Sequence, residues 1–168
     1  MATEQWVWLP HPDLSWTPAT ILSNTGSYTK YRTYQQQELS IANNIVNPAT
    51  LEAVSGPSRE GRVPNLVDLD EMGEGAVIHA LRTRYEADDI YTNIGSILVS
   101  INPYKLLPIY STSTIAKYPP SSSAHLSPPH VFQVAATAYH QLMTQHEDQA
   151  VIISGESGAG KVRPILCT

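Results

Sequence analysis

Cysteine is nearly missing from this sequence: Cys167 is the single one among 168 residues. No intrachain disulfide can form, and a lone thiol fits a reducing compartment better than a secreted scaffold. Charge is also scarce, with 15% Asp, Glu, Lys and Arg against about 25% in an average globular chain. What charge exists leans acidic, 15 acids to 10 bases, for a formal net charge of −5. Nucleic-acid tracking wants a basic face and docking on anionic lipid wants a polybasic segment, so both are disfavoured. No apolar run approaches the roughly 18 residues of a membrane-spanning helix. The opening MATEQWVWLP lacks the basic and long apolar stretches of a secretory signal. Apolar residues, at 42%, suffice for a core. The length suits one domain, or one and part of another, and the expectation is a soluble, cytoplasmic chain.

The first 60 residues read as β-rich. Trp6 to Leu9, Thr20 to Leu22, Tyr28 to Tyr34 and Glu38 to Val46 are short β-type runs. Pro10, Pro12, Asp13, Asn24-Thr25-Gly26-Ser27 and Asn47-Pro48 punctuate them, a spacing that suits a small barrel or sandwich, with a loosely packed extension as the plain alternative. Trp6, Trp8 and Trp16 are either its core or a partner-facing surface. Gly56 to Pro64 has the composition of a linker. Ala76, Val77, Ala80, Leu81 and Tyr85 recur at helical spacing, so residues 74–86 are predicted helical, and the acids before them suit a helix N-terminus better than a metal. Ile90 to Asn93 and Ile97 to Ile101 flank Gly95-Ser96 as a tight pair of strands. Ser111 to Pro129 reads as a Ser- and Pro-rich surface loop. A second amphipathic helix is predicted from His130 to near His146, with Pro129 in its first turn. No internal repeat is present.

Gln149 to Ser154 (QAVIIS) reads as a short buried-type strand running into Gly155-Glu156-Ser157-Gly158-Ala159-Gly160-Lys161. That is G-x-x-x-x-G-K, the phosphate loop, in the strand-then-glycine context the motif needs. Glycines let backbone N–H groups turn inward as an anion nest, and the lysine adds a point charge. A glycine-rich turn of no consequence is the bland competitor. The next position usually supplies a Ser or Thr hydroxyl to Mg²⁺; here Val162 offers no oxygen. Only VRPILCT follows Lys161, with Pro164 early, too little for a stable phosphate-facing helix.

Other chemistry is weakly signalled. His11, His79, His125, His130, His140 and His146 show no paired metal spacing. Ser157 sits after Gly155-Glu156, but Gly158 follows it where a nucleophile elbow needs x-Gly, which removes a serine hydrolase.

The chain resembles myosin motor heads. GESGAGK at Gly155 to Lys161 is similar to the myosin form of the phosphate loop, and NPYKLLPIY from Asn102 to Tyr110 is similar to the myosin purine-binding loop. Residues 128–161, PPHVFQVAATAYHQLMTQHEDQAVIISGESGAGK, and the stretch from Asp68 through IYTNIGSILVSINPYK resemble the family closely. VWLPHPDLSW resembles the start of the small β-barrel that precedes many myosin heads, myosin V types among them. The resemblance covers nearly all of residues 5–161. It implies an α/β P-loop NTPase of the myosin motor type, incomplete here, at 61–168, preceded by a small all-β barrel at 1–60.

By the same resemblance, Asn102, Pro103 and Tyr110 border the adenine of ATP with Lys105 nearby. Gly155, Glu156, Ser157, Gly158, Ala159, Gly160 and Lys161 hold the triphosphate. Mg²⁺, actin filaments and light chains belong to the complete family in the cytoskeleton. The switch loops, actin cleft, relay helix, converter and neck find no match in this sequence. The chain departs from the family after Lys161, where the resemblance expects Thr-Glu and a long helix. The expectation is therefore a truncated or mispredicted product with a phosphate loop short of its magnesium ligand, and an unpartnered strand at 151–154. A non-catalytic fragment whose barrel is a protein-interaction module is the alternative. An unrelated P-loop enzyme would leave the purine-loop resemblance a coincidence.

Overall fold

The computed structural model describes residues 5–121 and 123–161. Two compact units divide the chain, one up to Arg84 and one from Tyr85 onward.

The first unit is built on an antiparallel meander. Strands β1 (Trp6–His11), β2 (Ser15–Asn24), β3 (Tyr28–Thr33) and β4 (Glu38–Ala42) lie in the order β1-β2-β3-β4. The free edge of β1 is taken by residues 52–54. The Trp8 N–H donates to the Glu52 carbonyl and the Val54 N–H to the Trp6 carbonyl, each at 2.9 Å. This returning segment covers an edge that would otherwise invite pairing. Alternation sets the inside: Thr29, Tyr31 and Thr33 of β3 are buried, their neighbours more exposed. Val7, Leu9, Ala19 and Tyr31 form the core, with Leu39, Ile41, Val46 and Leu51 packed against them.

Trp8 points to the other face of β1 and is also buried. Helix α2 (Glu74–Glu86) covers it. A Cβ on Gly75 would stand 2.9 Å from Trp8 Cδ2, so the helix backbone lies directly on the indole. The His79 ring meets Trp8 edge-on at 5.7 Å, and its Nε2–H donates to the Arg59 carbonyl at 2.9 Å. Arg82 donates to the carbonyls of Trp16 and Leu14. Of the three tryptophans Trp8 is core, while Trp6 and Trp16 are half-buried, Trp6 lying under the Arg59 guanidinium at 5.2 Å.

The stretch expected to be a linker holds a helix instead, α1 (Gly56–Glu60). Its reasons are local. The Ser55 hydroxyl caps the Ser58 N–H, Pro57 sits in the first turn, and Gly61 ends the helix at φ +65°. Side chains at Gly61 are doubly excluded, because a Cβ there would also lie 2.9 Å from His79 Cδ2 and Thr83 Oγ1.

In the second unit, β5 (Tyr91–Ile94) and β6 (Ile97–Ser100) form the expected hairpin. Its two-residue turn places Gly95 at φ +60°, the left-handed conformation such turns need. The 111–129 segment is not wholly loop. Helix α3 (Thr112–Ile115) is capped by the Ser111 hydroxyl, and Ala124–Leu126 make a 3-10 turn. Helix α4 spans Val131–Gln145. His130 is its N-cap and His146, at φ 58°, its C-cap, so Pro129 precedes the cap instead of sitting in the first turn. Gln133 Nε2 donates to the carbonyls of His125 and Ser127 at 2.8 and 2.9 Å, tying the preceding turn to α4. Ile90, Tyr91, Val131 and Phe132 form this unit's core.

One expectation fails outright. Residues 149–154 form no strand, and Val151 and Ile152 are 45% and 91% exposed. A strand is a property of a pair, and among the described residues no other strand lies beside this segment. It passes as irregular backbone along a groove of about 560 Å³, against residues of α4 and the hairpin.

Candidate functional site

A cavity of about 660 Å³ lies in the second unit. One wall is Asn102 to Leu107 with Tyr110, the opposite wall Ser157 to Lys161, and Ile90, Tyr91 and Ser100 form the remainder. Of the residues singled out from sequence, Asn102, Pro103, Lys105, Tyr110, Ser157, Gly158, Ala159, Gly160 and Lys161 line it. Gly155 and Glu156 stand outside the lining.

Asn102 joins the two walls. Its Nδ2 donates to the Gly158 carbonyl at 2.8 Å, and its Oδ1 accepts from the Tyr104 N–H at 2.9 Å. The second bond is an Asx turn, which swings the backbone tightly enough to leave Tyr104 at φ 51° and 84% exposed. Gly160 packs on the Asn102 side chain; a Cβ there would meet it at ordinary contact distances. What requires glycine is backbone sign: Gly158 and Gly160 both adopt φ +85°, where an L side chain is disfavoured.

Lys161 folds back into its own loop. Its Nζ donates to the carbonyls of Gly155 and Glu156, each at 2.7 Å. The Ala159 N–H donates to the Glu156 carbonyl at 3.1 Å, closing the turn ahead of the lysine. Two neutral carbonyls are modest partners for an ammonium, and an anion would compete for it strongly. Lys105 is already paired, Nζ to Asp88 Oδ1 at 2.6 Å, and both side chains are about half exposed (56% and 47%).

Sequence reasoning missed Tyr91 and the group behind it. The Tyr91 and Tyr110 hydroxyls meet at 2.8 Å. Both rings contact His130, at 4.9 and 5.7 Å between centroids. Burial holds the His130 imidazole below the usual histidine range, the Ile109 carbonyl pulling the other way. Burial also raises the Tyr118 phenol. These residues come from three separate stretches of chain, so no local motif announces them. Their only signal in sequence is aromatic spacing, which is also what an ordinary core shows.

Magnesium is a separate matter. The position after Lys161 is Val162, which lies outside the described residues, yet its side chain has no oxygen to offer any cation. Among the described residues no cluster of three or more His, Cys, Asp or Glu could hold a metal ion.

The family description "Myosin head (motor domain)" matches residues 63–164. The high molecular weight form of myosin-1 of Acanthamoeba castellanii is 35% identical over 158 residues, 94% of this chain and 10% of that protein. Human unconventional myosin-Vc is 37% identical over 156 residues, 92% of this chain and 9% of that protein. Myosin-H heavy chain of Dictyostelium discoideum is 34% identical over 156 residues, 92% of this chain and 8% of that protein. The class is therefore that of motor-protein heads. This chain belongs to the myosin head (motor domain) family, and it spans about a tenth of the length of these relatives.

Proposed function

We propose that this chain is an N-terminal part of an actin-based motor head, and that its cavity receives an adenine nucleotide. The base lies against Asn102, Pro103 and Tyr110 with Lys105 beside it, and the phosphates run along Gly155 to Lys161. The observation that carries this is the hydrogen bond from Asn102 Nδ2 to the Gly158 carbonyl. It ties the purine-loop stretch to the phosphate loop across one cavity, whose size falls within the roughly 300–1,000 Å³ of small-molecule sites. Apolar walls at Ile90, Pro103 and Leu107 suit a flat base, and the Lys161 ammonium is free to exchange two carbonyls for a phosphate.

In the complete head the reaction is phosphoryl transfer from ATP to water, driven by positioning and electrostatics and coupled to actin filaments in the cytoskeleton. Light chains are partners of that whole protein. This chain by itself holds nucleotide weakly and does not turn it over. Among the described residues the cavity lining includes no His, Asp or Glu to take a proton from water. Val162 does not fit the role of magnesium ligand, so no step is assigned to the ion here.

Titrating a ribose-labelled fluorescent ATP analogue into the full chain tests this. Saturable binding that Lys161→Ala abolishes is expected, as is strengthening by Mg²⁺ only when Val162→Thr restores a hydroxyl. Equal curves for the native chain and Lys161→Ala would contradict the phosphate assignment.

A further inference from the structure

His130 stands outside the cavity lining, and its role described so far is to cap α4. It is 5% exposed, and four aromatic rings surround it. Tyr91, Tyr110, Tyr118 and Phe132 lie at 4.9, 5.7, 5.2 and 4.5 Å between centroids, with Tyr118 stacked at 27°. Its Nδ1 accepts the Phe132 N–H at 3.1 Å and so caps helix α4. A nitrogen that accepts carries no proton, so the neutral ring holds its hydrogen on the buried Nε2, and the Ile109 carbonyl is the backbone acceptor that acts on the imidazole. Two of the four rings, Tyr91 and Tyr110, are also walls of the cavity.

From this geometry we propose that His130 is a proton-operated positioning residue: a proton taken from solvent at Nδ1 releases the Tyr91–Tyr110 wall, and adenine nucleotide dissociates as the solution is acidified. The ligand in this proposal rests on the nucleotide reading above; the structural step does not.

An imidazolium donates from both nitrogens, so protonation deletes the cap outright and leaves the Phe132 N–H facing a donor. It also places positive charge at the positive end of a helix. The titratable groups facing the ring are the phenols of Tyr91 on β5, Tyr110 on the segment after β6 and Tyr118 after α3. None of these side chains is a carboxylate that would hold the cation in place. Stacking on Tyr118 and the Ile109 carbonyl both favour a cation. Burial opposes it and outweighs the Ile109 carbonyl, and the lost cap and the helix end add to that opposition. The charged ring therefore leaves the cage, and Tyr91 and Tyr110 lose the surface they pack on.

The full chain serves for the test. NMR follows the His130 ring, the rings of Tyr91 and Tyr110 and the Phe132 amide through an acid titration, while the ribose-labelled ATP analogue reports affinity over the same range. The His130 midpoint should fall below the ordinary value of about 6.5, and the tyrosine and Phe132 signals should share it. Apparent affinity follows the competent fraction, so it should drop about twofold at that midpoint and about tenfold one pH unit lower. His130→Asn keeps a good capping acceptor and has no proton to gain, and its profile should lack this drop; the analogue's own phosphate titration is common to both proteins. His130→Ser supplies the same comparison if the Asn variant does not fold. Tyrosine signals that stay fixed while His130 titrates overturn the proposal, as do equal pH slopes for native and variant chains. Failure of the native chain to bind the analogue at any pH refutes the nucleotide reading, and the tyrosine signals then decide the structural step by themselves.

Discussion

Asn102 shows how much one side chain organises. It donates to the phosphate-loop carbonyl of Gly158 and accepts from its own turn at Tyr104, so its loss unties the cavity at two places. A net hydrogen bond contributes about 0.5–1.5 kcal/mol. Asn102→Ala should therefore weaken binding of the ATP analogue by about two- to tenfold per bond lost, measured by fluorescence titration, with the melting temperature of the β-sheet unit unmoved. Unchanged affinity would show that the contact is incidental. His130 has its own consequence for stability. Its folded pKa is lowered, so its contribution is present above the unfolded value of about 6.5 and is lost as pH falls through the folded value. Chemical denaturation at a series of pH values should show that loss for the native chain and a smaller one for His130→Asn. At this scale the sequence is informative where it writes a motif: Asn102, Tyr110 and Ser157 to Lys161, singled out from motifs, all line the cavity. Tyr91, Tyr118 and His130 are not legible in this way, because what defines them is proximity among residues far apart in the chain.

Elements were legible where a periodic pattern coincided with clear ends. Helix α2 occupies Glu74–Glu86 as its apolar spacing predicts, and the β5–β6 hairpin turns at Gly95-Ser96. Helix α1 was hidden because glycine and proline dominated its composition, yet Ser55, Pro57 and Gly61 act there as start, first turn and stop. The 149–154 segment misled in the opposite direction: its β-branched residues favour a strand, but propensity cannot replace a neighbouring strand. Gly75 tests the α2 packing. Replacing glycine by alanine within a helix ordinarily gains about 0.5–1 kcal/mol. Here the new methyl would lie 2.9–3.1 Å from three atoms of the Trp8 ring, and such overpacking costs about 1–3 kcal/mol. Gly75→Ala should thus lower the melting temperature followed by tryptophan fluorescence. A rise would mean that α2 does not rest on Trp8.

Over the whole molecule, the sheet-bearing unit and the cavity-bearing unit differ in how well they satisfy themselves. The first closes its β1 edge with residues 52–54 and covers Trp8 with a helix. The second leaves Val151 and Ile152 facing solvent on a segment of high β-propensity, a composition that favours association through strand pairing. Ile152→Lys should reduce aggregation in light scattering while changing unfolding free energy by less than about 0.5 kcal/mol, as for an ordinary surface position. A large destabilisation would show that Ile152 is buried in solution.

Two stretches separated by some 50 residues, the Asn102 to Tyr110 loop and the Ser157 to Lys161 turn, wall one cavity, and the proposal is that a nucleotide fills it. The most direct measurement is an amide NMR titration of the isotope-labelled full chain with ATP. The account predicts that signals from both stretches shift together along one binding curve, while those of β1 to β4 stay still. Shifts confined to one stretch, or spread equally over the sheet, would contradict it.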